Sequence, residues 1–292
     1  VVLSKLKQIF SFGGGGSRLD VKKRFEILGK SGMGSMSQVF RAKDRNLGGK
    51  FVCLKILDKE KTAKFEARFV GLKRPSEGAI CLELHHPKIV QTFEHGLTTN
   101  GEQYLVMEWI DGTGLHSLIE GENASLDGNR AKILFQVADA LAYVHQQKYL
   151  HRDICPRNVI VTGSGTAKLI DFGLTLPYKP EFCKPGNRTG TAQYLAPEII
   201  KRSSTDHRVD LFALGVTAYE TYTGQLPWGK VESMQNLLSH MNSPGKDPRE
   251  CRPDLDEATA QFLMKAIERE PAKRFQTATA FRDALKGLPQ TH

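Results

Sequence analysis

The sequence predicts an α+β fold in two lobes, a strand-rich N-terminal one with one main helix and a helix-rich C-terminal one. Three observations predict it. Between Phe25 and Trp109, short runs of branched and aromatic residues alternate with Gly, Asn and Asp turns. After Asp111-Gly112 the spacing becomes helical, most plainly over 129–147, where Ile133, Leu134, Val137, Leu141 and Val144 make one apolar stripe. A chain of 292 residues also sits near the size at which one core gives way to two.

Composition removes several function classes. Hydrophobic content of 40% with 25% charged residues is ordinary for a globular chain, and no apolar run approaches the ~20 residues of a membrane helix. No membrane segment is expected in this chain. The net charge of +9 is spread among interleaved Asp and Glu and accompanies no reading module, so no nucleic acid is expected as a partner. Five cysteines without a paired spacing argue against a disulfide framework or a zinc site and favour a cytoplasmic location.

Residues 1–19 stand apart. Val2, Leu3, Leu6, Ile9 and Phe10 fall at helical spacing, and Gly13 to Ser17 reads as a flexible linker, so the region is expected to be an N-terminal extension. One domain is expected over 20–288, with lobes of about 20–108 and 111–288.

In the first lobe, strands are expected at Phe25–Leu28, Gln38–Ala42, Phe51–Leu57, Ile89–Glu94 and Tyr104–Trp109, interrupted by one charged, helical interval of about 60–84. Gly32, Gly34 and Ser37 fall in a G-x-G-x-x-S-x-V run ending on Val39. Small residues there let backbone pass close over phosphate oxygens, although a hairpin without a ligand has the same composition. A Walker A loop fails because Arg24 stands where its first Gly belongs, and a Rossmann fingerprint fails because Val39 leads into a strand. Lys55 ends the third strand run. It can pair with phosphates if an acid steadies its flexible stem, and Glu77 is the candidate acid.

The densest chemistry lies in 151–173. His151-Arg152-Asp153 is followed by Asn158 five residues after the Asp, and Asp171-Phe172-Gly173 begins thirteen residues after that Asn. A proton-accepting carboxylate, an oxygen-donor amide and a second carboxylate at this spacing are the layout of a phosphoryl-transfer site. Further on come Gly190-Thr191-Ala192-Gln193-Tyr194-Leu195-Ala196-Pro197-Glu198, Asp210 in Val209-Asp210-Leu211-Phe212, and Arg274 after Glu270-Pro271.

Taken in order over about 25–285, these elements resemble the eukaryotic-type (Hanks-type) Ser/Thr protein kinases. Ser37 at the third small position and the Gly-Thr-Ala-Gln-Tyr-Leu run are similar to bacterial members. The resemblance implies ATP with Mg²⁺, or Mn²⁺, as cofactors and a protein substrate. It implies Asp153 as the base, Asn158 and Asp171 as metal ligands, and the Lys55–Glu77 pair on the phosphates. Glu108 and Ile110 of the hinge would bond the adenine edge, with Val39, Cys53 and Ile160 against its faces. Thr191 would bond the catalytic Asp, as in the Ser/Thr class. Glu198–Arg274 and Asp210 resemble structural anchors, and a homodimer suited to autophosphorylation is a compatible assembly.

One departure matters most. Ser/Thr kinases carry a Lys two residues after the catalytic Asp, and here Cys155 stands there. A thiol of ordinary pKa, about 8.5, brings no positive charge to the transferring phosphate. Arg157, four residues after the Asp, is where receptor-type tyrosine kinases place an Arg for this purpose. The alternative is a pseudokinase-like nucleotide-binding scaffold. In the family the residue matching Arg152 pairs with a phosphate on the activation segment. Asn187 occupies the usual phosphosite; the segment still offers Thr175, Tyr178, Thr189 and Thr191, and of these Thr189 is the expected regulatory residue.

Overall fold

In the computed structural model the described residues are 18–34, 36–186, 189–233, 235–237 and 242–289. The helix and linker expected before residue 18, and Asn187, lie outside them. Contacts divide the chain into two units, one of residues 1–85 with 90–110 and one of 86–89 with 111–292.

The first unit starts with a short helix α1 (Val21–Arg24) and is built on five strands: β1 (Phe25–Gly34), β2 (Ser37–Asp44), β3 (Lys50–Leu57), β4 (Thr92–Leu97) and β5 (Gln103–Glu108). They form one antiparallel sheet in the order β1-β2-β3-β5-β4. Period-two alternation sorts its faces. Phe25, Ala42, Val52, Leu54, Tyr104 and Val106 form a buried core on one face. By parity Val39, Cys53, Lys55, Leu105 and Met107 belong to the other, and the register sets Val39 opposite Lys55 and Cys53 opposite Met107.

Two expectations change here. The run expected over Ile89–Glu94 becomes strand only at Thr92, because Ile89 instead bridges to Leu169 within the second unit. The single helical interval of about 60–84 is two helices, α2 (Lys59–Glu66) and α3 (Glu77–Glu83). Gly71 between them sits at φ +83°, and Pro75 cannot donate a helix bond, so the chain must restart at the Ser76 cap.

The second unit holds β6 (Gly112–Gly114), α4 (Leu115–Glu120), α5 (Arg130–Gln146), β7 (Tyr149–Leu150), β8 (Val159–Thr162), β9 (Ala167–Leu169) and β10 (Leu176–Pro177). After these come α6 (Pro197–Ile200), α7 (Arg208–Thr223), α8 (Pro248–Cys251), α9 (Glu257–Ala266) and α10 (Ala278–Leu285). The apolar stripe foreseen on 129–147 is buried on α5. Helix α7 is buried from Val209 to Tyr222, with Asp210, Thr217, Glu220 and Thr221 buried among its apolar residues. Phe262, Phe275 and Phe281 interlock beside it with ring centroids 4.9–5.2 Å apart.

A charge network closes the first unit's core. Arg24 grips fully buried Asp44 through Nε and Nη2 and reaches Glu94 at 2.9 Å, while Tyr104 donates to the same Glu94 oxygen at 2.5 Å. Burial alone would lower the Arg24 pKa, but Asp44 and Glu94 hold it above the usual guanidinium value. Removing the cation strands a buried carboxylate. Arg24→Ala should therefore destabilise the domain by about 3 kcal/mol, read by denaturant unfolding.

Candidate active site

The geometry begins with Asp210 in the first turn of α7. Its carboxylate accepts the N–H of His151 at 2.9 Å and of Arg152 at 2.8 Å, and His145 Nε2 lies 2.9 Å away. Burial alone would raise the Asp210 pKa. The bond from His145, the charges of His145 and His151, and the Arg152 N–H outweigh it and hold the carboxyl below its usual range. An ionised anchor thus pins two successive peptide groups. The second belongs to Arg152, at φ +71°, a conformation that costs a non-Gly residue about 1–3 kcal/mol unless its surroundings enforce it.

Beyond this anchor Asp153 is locked by three donors. Its Oδ1 accepts from the Thr191 N–H at 2.9 Å and the Thr191 hydroxyl at 2.8 Å, and its Oδ2 accepts from Asn158 Nδ2 at 3.0 Å. The same Asn158 nitrogen donates to the Asp153 carbonyl at 2.8 Å. That commits the amide nitrogen and leaves the amide oxygen as the Asn158 donor atom. Thr191 can approach because Gly190 precedes it, where a Cβ would stand 2.8 Å from the Arg152 carbonyl and φ is +128°. Asp171 sits at φ +61° with Oδ1 accepting the Gly173 N–H at 3.1 Å, and Phe172 is buried edge-on against His151 at 4.8 Å. Asn158 and Asp171 thus offer hard oxygen donors, the kind that Mg²⁺ prefers.

Cys155 is buried at 2% exposure. Burial, and then the charge of Asp153, push its thiol up to about 12, so it stays neutral. Arg157 lies exposed on the 156–158 turn; its backbone N–H bonds the Cys155 sulfur, while its side chain makes no hydrogen bond or ion pair with another described residue. Its charge is nonetheless felt at Glu220, whose carboxyl burial raises against the opposing pull of the Tyr194 hydroxyl, His116 and Arg157. Tyr194 donates to Glu220 Oε2 at 2.5 Å.

In the first unit Lys55 Nζ meets Glu77 Oε1 at 2.6 Å with both residues buried. Glu77 is the first residue of α3, so the acid comes from a helix start and not from mid-helix. Gly32 and Gly34 are strand residues opposite Val39 and Ser37, so the glycine-rich run is the end of a hairpin. Glu108 directs its N–H to the Gln91 carbonyl at 2.9 Å and its carboxylate to the Gln91 N–H at 2.8 Å. Ile110 ends the first unit, and half-buried Ile160 lies on β8 in the second.

Arg152 is buried, with Nη1 3.5 Å from the Thr205 hydroxyl, and burial lowers its pKa. Thr189 is also buried, at 6% exposure, so a modifying enzyme reaches it only if this segment opens. The Glu198–Arg274 pair is bidentate at 2.8 Å for both bonds, and Arg274 also donates to the carbonyls of Glu268, Arg208 and Arg269. Sequence reasoning passed over His145 and the Tyr194–Glu220 pair. His145 lies 65 positions from Asp210 and carried no local signal of its role.

A fold of this kind, with this ordered set of groups, belongs to the protein kinase family, whose protein kinase domain matches residues 25–285. A probable serine/threonine-protein kinase of Clostridium perfringens is 31% identical over 256 residues, covering 87% of this chain and 37% of its own length. The serine/threonine-protein kinase pkn3 of Myxococcus xanthus is 29% identical over 290 residues, covering 94% and 51%. PknB of Mycobacterium tuberculosis is 30% identical over 274 residues, covering 90% and 42%. The chain thus spans about half or less of the length of these relatives.

The state of Cys155 can be read directly. With a thiol pKa near 12, the thiolate fraction at pH 8 is on the order of one in ten thousand. In the folded domain Cys155 should resist iodoacetamide at pH 8 and react fully after unfolding, as followed by peptide mass mapping.

Proposed function

We propose that this domain transfers the γ-phosphoryl group of ATP to Ser and Thr hydroxyls of a protein substrate. The observation that carries the reading is the locking of Asp153 between Thr191 and Asn158. A carboxylate fixed by three donors keeps one orientation, which is what a group orienting a hydroxyl and taking its proton needs. The Thr191 hydroxyl on Asp153 supports the Ser/Thr class, because it ties the acceptor-side segment to the catalytic carboxylate.

Asn158 and Asp171 would hold Mg²⁺, or Mn²⁺, which when bound neutralises charge on the phosphate oxygens. Lys55, steadied by Glu77, supplies a cation for the α- and β-phosphates. Val39 and Cys53, on the same sheet face as Lys55, offer apolar cover to the base, and the backbone of Glu108 and Ile110 offers polar partners for the adenine edge. Cys155 brings no charge, so Arg157, exposed and unpaired among the described residues, supplies the cation for the transferring group. Arg152 would receive a phosphate placed on the activation segment at Thr189. The working unit is taken as 20–288, acting in the cytoplasm and capable of pairing with a second copy for autophosphorylation. No helix among the described residues is long and apolar enough to cross a membrane.

The test is transfer of labelled phosphate from MgATP to a generic basic protein. Wild type should transfer, and Asp153→Asn should abolish it. Arg157→Ala should lower turnover by about a hundredfold while leaving ATP affinity near wild type. Binding of ATP without transfer by wild type would leave the scaffold reading in its place.

A further inference from the structure

We infer that Gly78 and His95 form the seat that sets Glu77 against Lys55, which makes Gly78 a positioning residue for phosphoryl transfer. The inference rests on the kinase reading above. Helix α3 has only seven residues, begins at Glu77, and has no preceding turn to hold it, since Gly71 and Pro75 break the chain before the Ser76 cap. So short a helix keeps its place through packing and not through its own propensity. Its packing partner is β4.

That contact is unusually close. A Cβ on residue 78 would stand 2.4 Å from His95 Cβ, 2.4 Å from Cγ and 2.7 Å from Nδ1. Carbon atoms in contact stay about 3.5–4.0 Å apart, so an added methyl forces a separation of about an ångström. His95 cannot yield by rotating its ring, because two of the three atoms met lie at the root of its side chain. Its backbone is held too, since β4 pairs with β5 and places His95 opposite Leu105. The helix must therefore move, and it carries Glu77 one peptide away. The Lys55–Glu77 distance of 2.6 Å is a full hydrogen-bond contact, which a shift of that size breaks.

Gly78→Ala, His95→Gly and the double variant are compared with wild type in the full chain. The readings are kcat and KM for ATP, affinity for a fluorescent ADP analogue, and thermal melting. Gly78→Ala should lose about a hundredfold in kcat/KM while still melting well above the assay temperature. Removing the His95 side chain from that background makes room for the methyl, so the double variant should regain about tenfold or more of the loss. Because Gly78→Ala is assayed well below its melting temperature, the loss and its rescue are read on folded protein and not as a general loss of stability.

Wild-type kcat/KM in Gly78→Ala overturns the inference, as does a folded double variant no more active than Gly78→Ala. If Gly78→Ala fails to fold, the double variant decides: folded and active supports the seat, and inactive or unfolded overturns it. A wild type that transfers no phosphate overturns the kinase reading alone. The order of ADP-analogue affinity, wild type above the double variant above Gly78→Ala, then still tests the seat, and equal affinities overturn it.

Discussion

The site depends on one buried carboxylate. Asp210 is carried by a helix buried along nearly its whole length, so its position is fixed by packing before any polar contact is made. Its two oxygens then take the N–H groups of His151 and Arg152 and hold the second in a left-handed conformation. A displaced side chain at 210 would leave two buried donors unmatched, and a neutral amide there one, each costing about 1–3 kcal/mol. Asp153, immediately after this strained turn, inherits its direction from it.

The charges around Asp153 follow from burial. Where Ser/Thr kinases carry a Lys, the position here is closed to solvent, and a thiol fills it at little electrostatic cost because it stays protonated. Two residues on, Arg157 lies on the exposed side of the turn and is the cation proposed above for the transferring group. In the first unit the cation and its acid are buried together, each satisfying a charge that would be costly alone. The loop cation is solvated and the sheet cation is held, as the proposed roles of a mobile contact to the transferring group and a fixed contact to the nucleotide require.

Much of this was legible in the sequence, and the rest was hidden for identifiable reasons. Helix α5 was readable because Ile133 to Val144 repeat at helical spacing, and the candidate set Asp153, Asn158 and Asp171 stood out because its spacing is local. The break between α2 and α3 was signalled by Gly71 and Pro75, but the surrounding charges read as one helical interval. The glycine-rich run was legible as a turn, whereas its continuation as strand to Gly34 depends on pairing with β2. Contacts across long sequence separations, such as His145 with Asp210 or Gly78 with His95, leave no periodic trace and emerge only from the fold.

The most direct test of the central claim is turnover by Asp210→Asn, which keeps the shape of the side chain but removes its charge and one acceptor. If Asp210 orients the loop that carries Asp153, kcat should fall by about two orders of magnitude while affinity for an ATP analogue stays within about threefold. Wild-type kcat in a folded Asp210→Asn domain would contradict the account.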